Sequence, residues 1–473
     1  MSDRAIRSIA ILGGGIVGLS AAAAFARALP QLAITVIETP PDPAALADRL
    51  PGSTSAIHRF HASIGLEEQA LLRAGAAVPR LGLRFRNWPA GAETWYHVHG
   101  EHGAAAGKVA FHQLWARARR EGRADAWHLY AAAGVLAEAG KFAHPQPDTP
   151  LAAFDYALRL EPGRYRETLA TLADRLGVTR RSGTFGSAEQ REDGAVAALL
   201  LVDGQRIAAD LYLDASGPAA PLANLMSQGF EDWGSMLPYH HVEIGEGPAS
   251  AADPNDTIIG GAQGWQFASP LGARTFLGSV HASPATIDAH SVAIRPGRRS
   301  EPWCRNVLAL GDAAVALDPL HWPNLHLAQS GIARAIELLP GRDCHPVEIA
   351  EYNRRARAEA EQMRDFQVLH YLRTGANTEV PHSLAAMLEQ FERRGRFVHQ
   401  DEDSLLEEVW ISALFGLGVL PRDIDPLAAA VPADSAAAGM AGMRSQLARL
   451  PAGLPSFGDY LARGGAPAPP RSC

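Results

Sequence analysis

The sequence has few cysteines and lacks long apolar or basic runs. Cys304, Cys344 and Cys473 stand far apart and show no metal-ligand spacing, so we expect neither a disulfide framework nor a zinc site. No apolar run reaches the length of about 18 residues that a membrane-spanning helix needs. The formal net charge is −8, and no basic cluster could follow a phosphate backbone, which argues against a nucleic-acid partner. The predicted location is therefore cytoplasmic.

The size of the chain allows a large core. Its 473 residues are 47% hydrophobic, which predicts two or three subdomains. One group of side chains invites a metal interpretation, namely His97, His99 and His102. Their spacing fits neither one face of a helix nor a usual zinc pattern. We predict a polar loop there and no metal site.

The N-terminal segment carries the clearest cofactor signal. Ile6–Leu12 has the pattern of a buried strand, and Leu19–Ala28 has that of an Ala-rich helix. Between them, Gly13, Gly15 and Gly18 fit the G-x-G-x-x-G fingerprint of dinucleotide-binding proteins. The first glycine makes a tight turn, the second lets the backbone approach a pyrophosphate, and the third lets helix and strand pack closely. The spacing predicts a dinucleotide site.

An acidic residue follows at the expected distance from this fingerprint. Glu38 closes a second strand-like run, about 20 residues after the last fingerprint glycine, where a carboxylate can accept hydrogen bonds from a ribose. This segment alone leaves FAD and a nicotinamide cofactor as alternatives. No second glycine fingerprint indicates a separate NAD(P)H domain.

Two later strand ends favour FAD. The run LYLDASGP contains Asp214 and Gly217, and the run NVLAL is followed directly by Gly311 and Asp312. A cofactor site fed by three distant strand ends suits FAD, because that molecule extends across a whole domain. We therefore predict FAD as the cofactor, bound by these residues together with the fingerprint glycines and Glu38.

Together these segments resemble the glutathione-reductase-type FAD fold of aromatic monooxygenases, and finer motifs resemble one branch, the flavin-dependent tryptophan halogenases. Ile57–Trp88 resembles the family's helix and strand beside its catalytic lysine. The run GWQFASP, with Trp265 and Phe267, resembles the family motif G-W-x-W-x-I-P. Gly311–Arg334 aligns without a gap with the family's late flavin segment. The resemblance covers about residues 5–345.

The resemblance implies an α/β fold, in which a Rossmann-like glutathione-reductase-type FAD-binding domain is joined to a β-sheet substrate domain and a helical C-terminal region. The predicted boundaries are residues 1–80, 151–222 and 300–345 for the discontinuous FAD-binding domain, 81–150 and 223–299 for the substrate-domain sheet and its insert, 346–460 for the helical region, and 461–473 for a disordered tail.

The family's catalytic positions carry different residues in this chain. In this alignment Arg80 stands at the catalytic lysine and His321 at the catalytic glutamate. Trp322–Asn324 stand at Ser-Thr-Gly, which helps to hold halide and flavin, and Leu50–Ser53 stand at the flavin-side G-E-[AS]-T. Arginine stays protonated and is a poor nucleophile, and proline has no N–H to offer an anion.

The resemblance also predicts where the altered residues act. We expect His321 to assist proton transfer and Arg80 to position the substrate, with both facing one buried cavity. Trp265, Phe267 and Trp322 are predicted to line the passage between that cavity and the flavin.

Three hypotheses follow. The preferred one is an FAD-dependent oxidoreductase, a monooxygenase that acts on an aromatic, natural-product-like substrate with reduced flavin from a separate reductase. The first alternative is a flavin-dependent halogenase with an atypical site. The second alternative is a non-catalytic binding protein that retains the fold. The sequence leaves open the substrate, its attachment to a carrier protein, and the oligomeric state, including a homodimer.

Overall fold

The computed structural model describes residues 5–40, 42–146, 149, 151–152, 154–226, 229–283, 291–397 and 405–464. The strands are β1 (Ser8–Leu12), β2 (Ala33–Glu38), β3 (Ala77–Arg80), β4 (Gly82–Arg86), β5 (Trp95–Val98), β6 (Ala157–Leu160), β7 (Thr179–Ser182), β8 (Phe185–Gln190), β9 (Val196–Leu201), β10 (Arg206–Ile207), β11 (Leu211–Asp214), β12 (Phe230–Asp232), β13 (His241–Pro248), β14 (Asn255–Gly261), β15 (Gly264–Leu271), β16 (Arg274–His281), β17 (Ser291–Ala293), β18 (Gly297–Arg299), β19 (Trp303–Cys304), β20 (Val307–Ala309) and β21 (Val315–Ala316).

The helices are α1 (Ile16–Ala28), α2 (Ile57–Ile64), α3 (Glu68–Arg73), α4 (Phe111–Arg120), α5 (Ala132–Glu138), α6 (Pro162–Arg175), α7 (Pro221–Met226), α8 (Pro323–Glu337), α9 (Pro346–Tyr371), α10 (His382–Arg394), α11 (Glu407–Gly416), α12 (Pro426–Ala430), α13 (Ala433–Leu447) and α14 (Phe457–Ala462). Several of them begin with proline at the first helical position, which suits its fixed φ angle and missing N–H. At the start of α6, the carboxylate of Glu161 also accepts a hydrogen bond from the N–H of Arg164 at 2.6 Å.

The first sheet supports the fingerprint. In the described part of the chain it has six strands in the order β19-β20-β11-β1-β2-β7, and all of its pairs are parallel except β19 with β20. Strand β1 is central and almost wholly buried, and α1 buries its Ala-rich length against α6 and α8. The carboxyl ends of β1, β2, β11 and β20 therefore meet at one edge, where ligands bind in open α/β sheets.

The second large sheet forms the other layer. Its seven strands in the described residues run β17-β13-β16-β15-β14-β4-β5, and every pair is antiparallel except β14 with β4. The four strands from β13 to β16 lie in the segment for which the sequence predicts a sheet. Strands β3 and β6 form a separate two-stranded sheet. This pair contributes two buried arginines, Arg80 and Arg159.

The long helix α9 and the helices after it close the structure. The second half of α9 is buried, from Glu359 to Tyr371, and packs against α8, α10 and α11. The predicted α/β fold with a helical C-terminal region is confirmed. The predicted disordered tail is wrong at its start, because Leu461 and Ala462 complete α14. The rest of that tail, from residue 465, lies outside the described residues.

Within the described ranges, no helix is both long and apolar enough to cross a membrane.

Candidate functional site

The fingerprint glycines are needed for the close approach of backbones. Gly13 has φ of +117°, and a side chain there would overlap the carbonyl of Ala215. A side chain at Gly18 would overlap the carbonyl of Gly13. The turn and the helix–strand contact that the sequence predicts are thus formed. A side chain at Gly15 would instead overlap the carboxylate of Asp48.

Asp48 lies at the amino end of α1, where the fingerprint would receive a pyrophosphate. The short helical turn Leu46–Asp48 brings the carboxylate to this position, and its Oδ1 accepts a hydrogen bond from the N–H of Val17 at 2.9 Å. A carboxylate is stabilised there by free N–H groups and the helix dipole. Burial nevertheless raises the pKa of Asp48 to about 6, against the opposing effect of these hydrogen bonds.

The predicted residues Gly311 and Asp312 hold the same segment from the other side. Gly311 has φ of +61°, and it turns the chain so that Asp312 Oδ2 accepts the N–H of Ala47 at 2.8 Å. Burial raises the pKa of Asp312 to about 7, and the nearby charge of Asp48 adds to the shift. Residues 42–50 are therefore anchored across the cofactor edge of the first sheet.

The other predicted cofactor residues have partners within the protein. Glu38 Oε1 accepts hydrogen bonds from Arg180 Nε at 2.8 Å and Nη2 at 2.6 Å, on a half-exposed edge. Gly217 has φ of +91°, and the Cβ of Asp42 lies against it, where a side chain at this position would collide.

The Asp214 carboxylate caps the start of α7. Its Oδ2 accepts the N–H groups of Leu222 and Ala223 at 3.0 and 2.8 Å, while Oδ1 accepts the hydroxyl of Ser216 at 2.6 Å. Both carboxylate oxygens are thus engaged by the chain itself. A residue at a buried strand end can thus also cap the following helix, and a role for Asp214 in binding the cofactor stays a prediction.

A buried carboxylate joins the second sheet to the β3–β6 pair at the position of the family's lysine. Arg80 on β3 and Arg159 on β6 lie on neighbouring strands, and both are fully buried. Asp256 Oδ1 accepts Arg159 Nε at 2.6 Å, and Asp256 Oδ2 lies 3.4 Å from Arg80 Nη1. Arg80 Nη2 also donates to the carbonyl of Ser53. Burial lowers the pKa of Arg80 to about 10, so it stays charged at neutral pH.

Trp322 fills the space beside this carboxylate. Its Nε1 donates to Asp256 Oδ2 at 3.0 Å, and its ring lies so close to Gly52 that a side chain there would overlap it. Phe267 meets the same ring edge-on, with ring centres 5.1 Å apart. The cleft between Gly52 and Trp322 leaves no room for a water molecule. The predicted passage is therefore closed by one of the aromatic residues expected to line it.

The backbone entering α8 is strained where the family's Ser-Thr-Gly aligns. His321 and Trp322 have φ of +66° and +58°, which non-glycine residues seldom adopt. This geometry turns the indole of Trp322 toward Asp256 and the imidazole of His321 into the core. Pro323 then begins the helix.

His321 lies in a cluster of buried histidines and aromatic rings. Its Nε2 is 2.8 Å from His370 Nε2, and its ring centre is 4.7 Å from that of His97. Burial, followed by the charges of neighbouring histidines and Arg80, holds the pKa of His321 well below its usual value. His321 is consequently neutral at pH 7 and could serve as an acceptor or donor only in that form.

The predicted polar loop at the three histidines is wrong for His97, which lies on β5 with its Nε2 3.0 Å from the carbonyl oxygen of Val409, whereas His99 and His102 follow that strand in a loop. His97 and His102 are buried, and His99 is partly buried. The alternation of β5 and the aromatic rings around His102 hold these side chains inside, as shown by the stacking of His102 on Trp127 at 4.7 Å. Sequence spacing could not reveal that burial.

Arg80 lies near enough to His321 for its charge to lower the pKa of that imidazole, and Arg80 is fully buried whereas His321 is half-buried. Side chains fill this region. Trp265 and Phe267 are likewise buried there, with ring centres 6.0 Å apart. A cavity of about 30 Å³ lies elsewhere, behind the turn at Gly311. The predicted open cavity between the layers is thus closed by Trp322 and the histidine cluster.

Several residues of the site escaped the sequence analysis. Asp48 ends a short helical turn, Arg159 lies on a short strand, and His370 lies near the end of a charged helix. Asp256 belongs to the run DPND, whose residue 255 begins β14. The available signal was the pair of acids in that run, at the start of a strand.

No lysine is available to replace Arg80. The sequence contains lysine only at positions 108 and 141. Lys108 is exposed, and Lys141 Nζ donates to the carbonyl of Leu454 at 3.0 Å, close to α14. Chemistry that requires a neutral lysine amine therefore has no candidate near Asp256.

Comparisons with known proteins agree over most of the chain. A family model described as Tryptophan halogenase matches residues 8–433. The chain is 25% identical over 428 residues to tryptophan 7-halogenase KtzQ of Kutzneria sp. (strain 744), which covers 78% of this chain and 77% of that protein.

Two solved structures are similar over nearly their whole length. BrvH, a flavin-dependent halogenase from Brevundimonas sp. BAL3, has a TM-score of 0.91 at 30% identity, covering 98% of this chain and 100% of that chain. Xcc4156, a flavin-dependent halogenase from Xanthomonas campestris, has a TM-score of 0.90 at 30% identity, covering 99% and 100%.

We predict that Asp256→Asn destabilises the protein strongly. The substitution leaves two buried guanidinium groups without their shared carboxylate, which should lower the free energy of unfolding by about 3–5 kcal/mol. Urea denaturation followed by tryptophan fluorescence measures the change. Asp434→Asn is the matched control, because Asp434 is exposed and its single ion pair with Arg123 should contribute less than about 1 kcal/mol. Equal stabilities of the two variants would contradict the prediction.

Proposed function

The chain belongs to the tryptophan halogenase family, and on that premise we propose that it is an FAD-dependent halogenase with an atypical active site that acts on an aromatic substrate. Members of this family are flavin-dependent enzymes, and FAD is the family's cofactor. The comparisons favour this alternative over a monooxygenase, because the relatives named above are halogenases. We further propose that reduced flavin comes from a separate reductase.

The observation that carries the proposal is the position of Arg80. The arginine that replaces the family's lysine is fully buried, and its charge acts on the nearby imidazole of His321. Asp256 links this arginine to Trp322, and the ring of Phe267 packs on that indole. A protonated guanidinium can hold an oxidised halogen species or a substrate by hydrogen bonds, but it cannot form a covalent adduct as a neutral amine can. Neutral His321 would then accept or return a proton on the substrate side.

The residue types at the ADP end fit FAD, whereas their present arrangement leaves it no space. Gly13, Gly15 and Gly18 keep the backbone open at the amino end of α1, but the carboxylate of Asp48 stands where a pyrophosphate would lie. At the flavin end, Trp322 packs against Gly52. We propose that FAD binds only after residues 42–53 move away from the sheet edge.

A specific observation favours a second candidate, a non-catalytic binding protein. The chain's own side chains close both ends of the cofactor site, Asp48 at the pyrophosphate position and Trp322 at the flavin end. Such a protein would retain the fold and bind an aromatic partner molecule without turnover. The two candidates differ in whether added FAD and a reductant give product.

Removing the Asp48 carboxylate should strengthen FAD binding. Asp48→Ala deletes an interaction resembling a helix cap, worth about 0.5–2 kcal/mol, which favours the closed segment over FAD. At pH 5, where Asp48 is protonated in the closed segment, we expect FAD to bind roughly 2- to 30-fold more tightly to Asp48→Ala by flavin fluorescence titration, since the cap energy no longer opposes binding. Gly15→Val should abolish binding by blocking the pyrophosphate, while Gly439→Val, on an exposed face of α13, should leave it unchanged. Weaker binding by Asp48→Ala would refute the competition.

The same competition predicts a pH dependence. The pKa of Asp48 is raised from 3.8 to about 6 in the closed arrangement, so protonation stabilises that arrangement. This stabilisation is complete below about pH 4 and is lost as the pH rises through about 6. Opening releases the proton, so FAD affinity should increase by about tenfold between pH 5 and pH 7. Asp48→Asn should reduce the dependence, leaving only a contribution from Asp312. An unchanged slope in that variant would exclude Asp48 as its source.

Turnover distinguishes the functions. Purified protein is supplied with FAD, a flavin reductase, NADH and bromide, and indoles, phenols and free tryptophan are tested by mass spectrometry. We expect a brominated product from an aromatic compound other than free tryptophan, because the region around His321 is filled by His97, His370 and Phe366. Abundant bromotryptophan would contradict the atypical site. A hydroxylated product would restore the monooxygenase hypothesis, and FAD binding without any product would favour the binding protein.

A further inference from the structure

The buried cluster at Asp256 carries an excess of positive charge. Arg80 and Arg159 are 1% and 0% exposed, and they share the single carboxylate of Asp256, which is itself 0% exposed. Two guanidinium cations and one carboxylate leave a formal charge of +1. A buried charge without a counter-charge costs several kcal/mol, so a stable protein seldom keeps one without a partner.

The neighbouring acids do not supply the missing charge. The carboxylate of Asp253 lies 2.7 Å from Arg84 Nη2, and that of Glu161 is paired with Arg274. Each of these acids already balances an arginine of its own. The histidines facing Arg80, namely His97, His99 and His321, carry no negative charge, and burial keeps them neutral.

Both arginines also retain an unused donor. Arg80 Nε and Arg159 Nη2 are buried and have no hydrogen-bond partner, whereas the other nitrogens of Arg80 contact Asp256 and the carbonyl of Ser53. Arg159 Nη1 donates to the carbonyls of Asp253 and Pro270, at 2.8 and 2.9 Å. Buried donors that remain unpaired are costly, and they mark a place where an acceptor is missing.

We propose that the Arg80–Arg159 pair is an anion site that takes a small monovalent anion, either a halide ion or a carboxylate of the size of formate. Such an anion neutralises the cluster and accepts the two free N–H groups. The site lies beside Asp256 on β3 and β6, apart from the amino end of α1. It goes beyond the proposed halogenase activity, because binding requires neither FAD nor turnover.

Binding is tested on the FAD-free wild-type protein by thermal denaturation. Sodium bromide, sodium chloride and sodium formate are compared with sodium sulfate at equal ionic strength. A site-specific anion should raise the melting temperature by roughly 2–5 °C at concentrations about 100-fold above its dissociation constant. A response to halides alone identifies a halide site, and a response to formate alone identifies a carboxylate site. Both outcomes support the proposal, whereas no difference from sulfate overturns it.

Variants assign the effect to the cluster. Arg159→Met removes the excess charge and should abolish the anion-specific shift, while Arg159→Lys keeps the charge and should retain it. Arg298→Met is the matched control, because Arg298 is similarly buried but contacts both Glu231 and Glu361, so the shift should persist. An undiminished shift in Arg159→Met would refute the site.

Crystals of the wild-type protein provide a test that does not depend on the folding of variants. Anomalous diffraction from crystals soaked in bromide should show a peak beside Arg80 Nε or Arg159 Nη2. For a carboxylate ligand, crystals soaked in sodium formate should place its carboxyl group there. Absence of density at both nitrogens in both experiments would overturn the proposal.

Discussion

The carboxylate of Asp256 is the interaction on which the rest of the site depends. It stands at the start of β14 and binds Arg159 from β6, Arg80 from β3 and the indole of Trp322 at the head of α8. The second sheet, the β3–β6 pair and the late helix therefore meet at one buried charge. A carboxylate in this position fixes the guanidinium at the family's lysine position and the indole at its halide position. Arg80 and Trp322, which replace family residues, are consequently held by the same carboxylate.

The second constraint is the anion-binding character of the amino end of α1. Fingerprint glycines create a cradle suited to a pyrophosphate, and in this conformation the chain supplies an anion of its own, Asp48. Asp312 binds the backbone of the same segment through Ala47. The N–H groups at the amino end of α1 that would bind the pyrophosphate thus also bind the segment that bears Asp48. Cofactor binding and movement of residues 42–50 are in this view one equilibrium.

Sequence analysis anticipated the frame better than the chemistry. The strand–turn–helix at Gly13–Gly18 and the turn at Gly311 have local causes, periodicity and glycine geometry, and both were predicted. The closed site depends on contacts across the chain, such as Asp48 with Val17 and Asp256 with Arg159. No local sequence pattern predicts these long-range contacts. The buried histidines were misjudged for the same reason, since polarity in sequence gives no measure of the burial that packing imposes.

We propose that FAD and the segment bearing Asp48 compete for one site. The most direct measurement is a crystal structure of the protein grown with saturating FAD. We expect the pyrophosphate to lie over Gly15 and residues 42–50 to be displaced, so that Asp48 no longer contacts Val17 and Trp322 no longer packs against Gly52. FAD bound at the fingerprint with Asp48 still hydrogen-bonded to Val17 would contradict this competition, as would an unchanged structure without FAD.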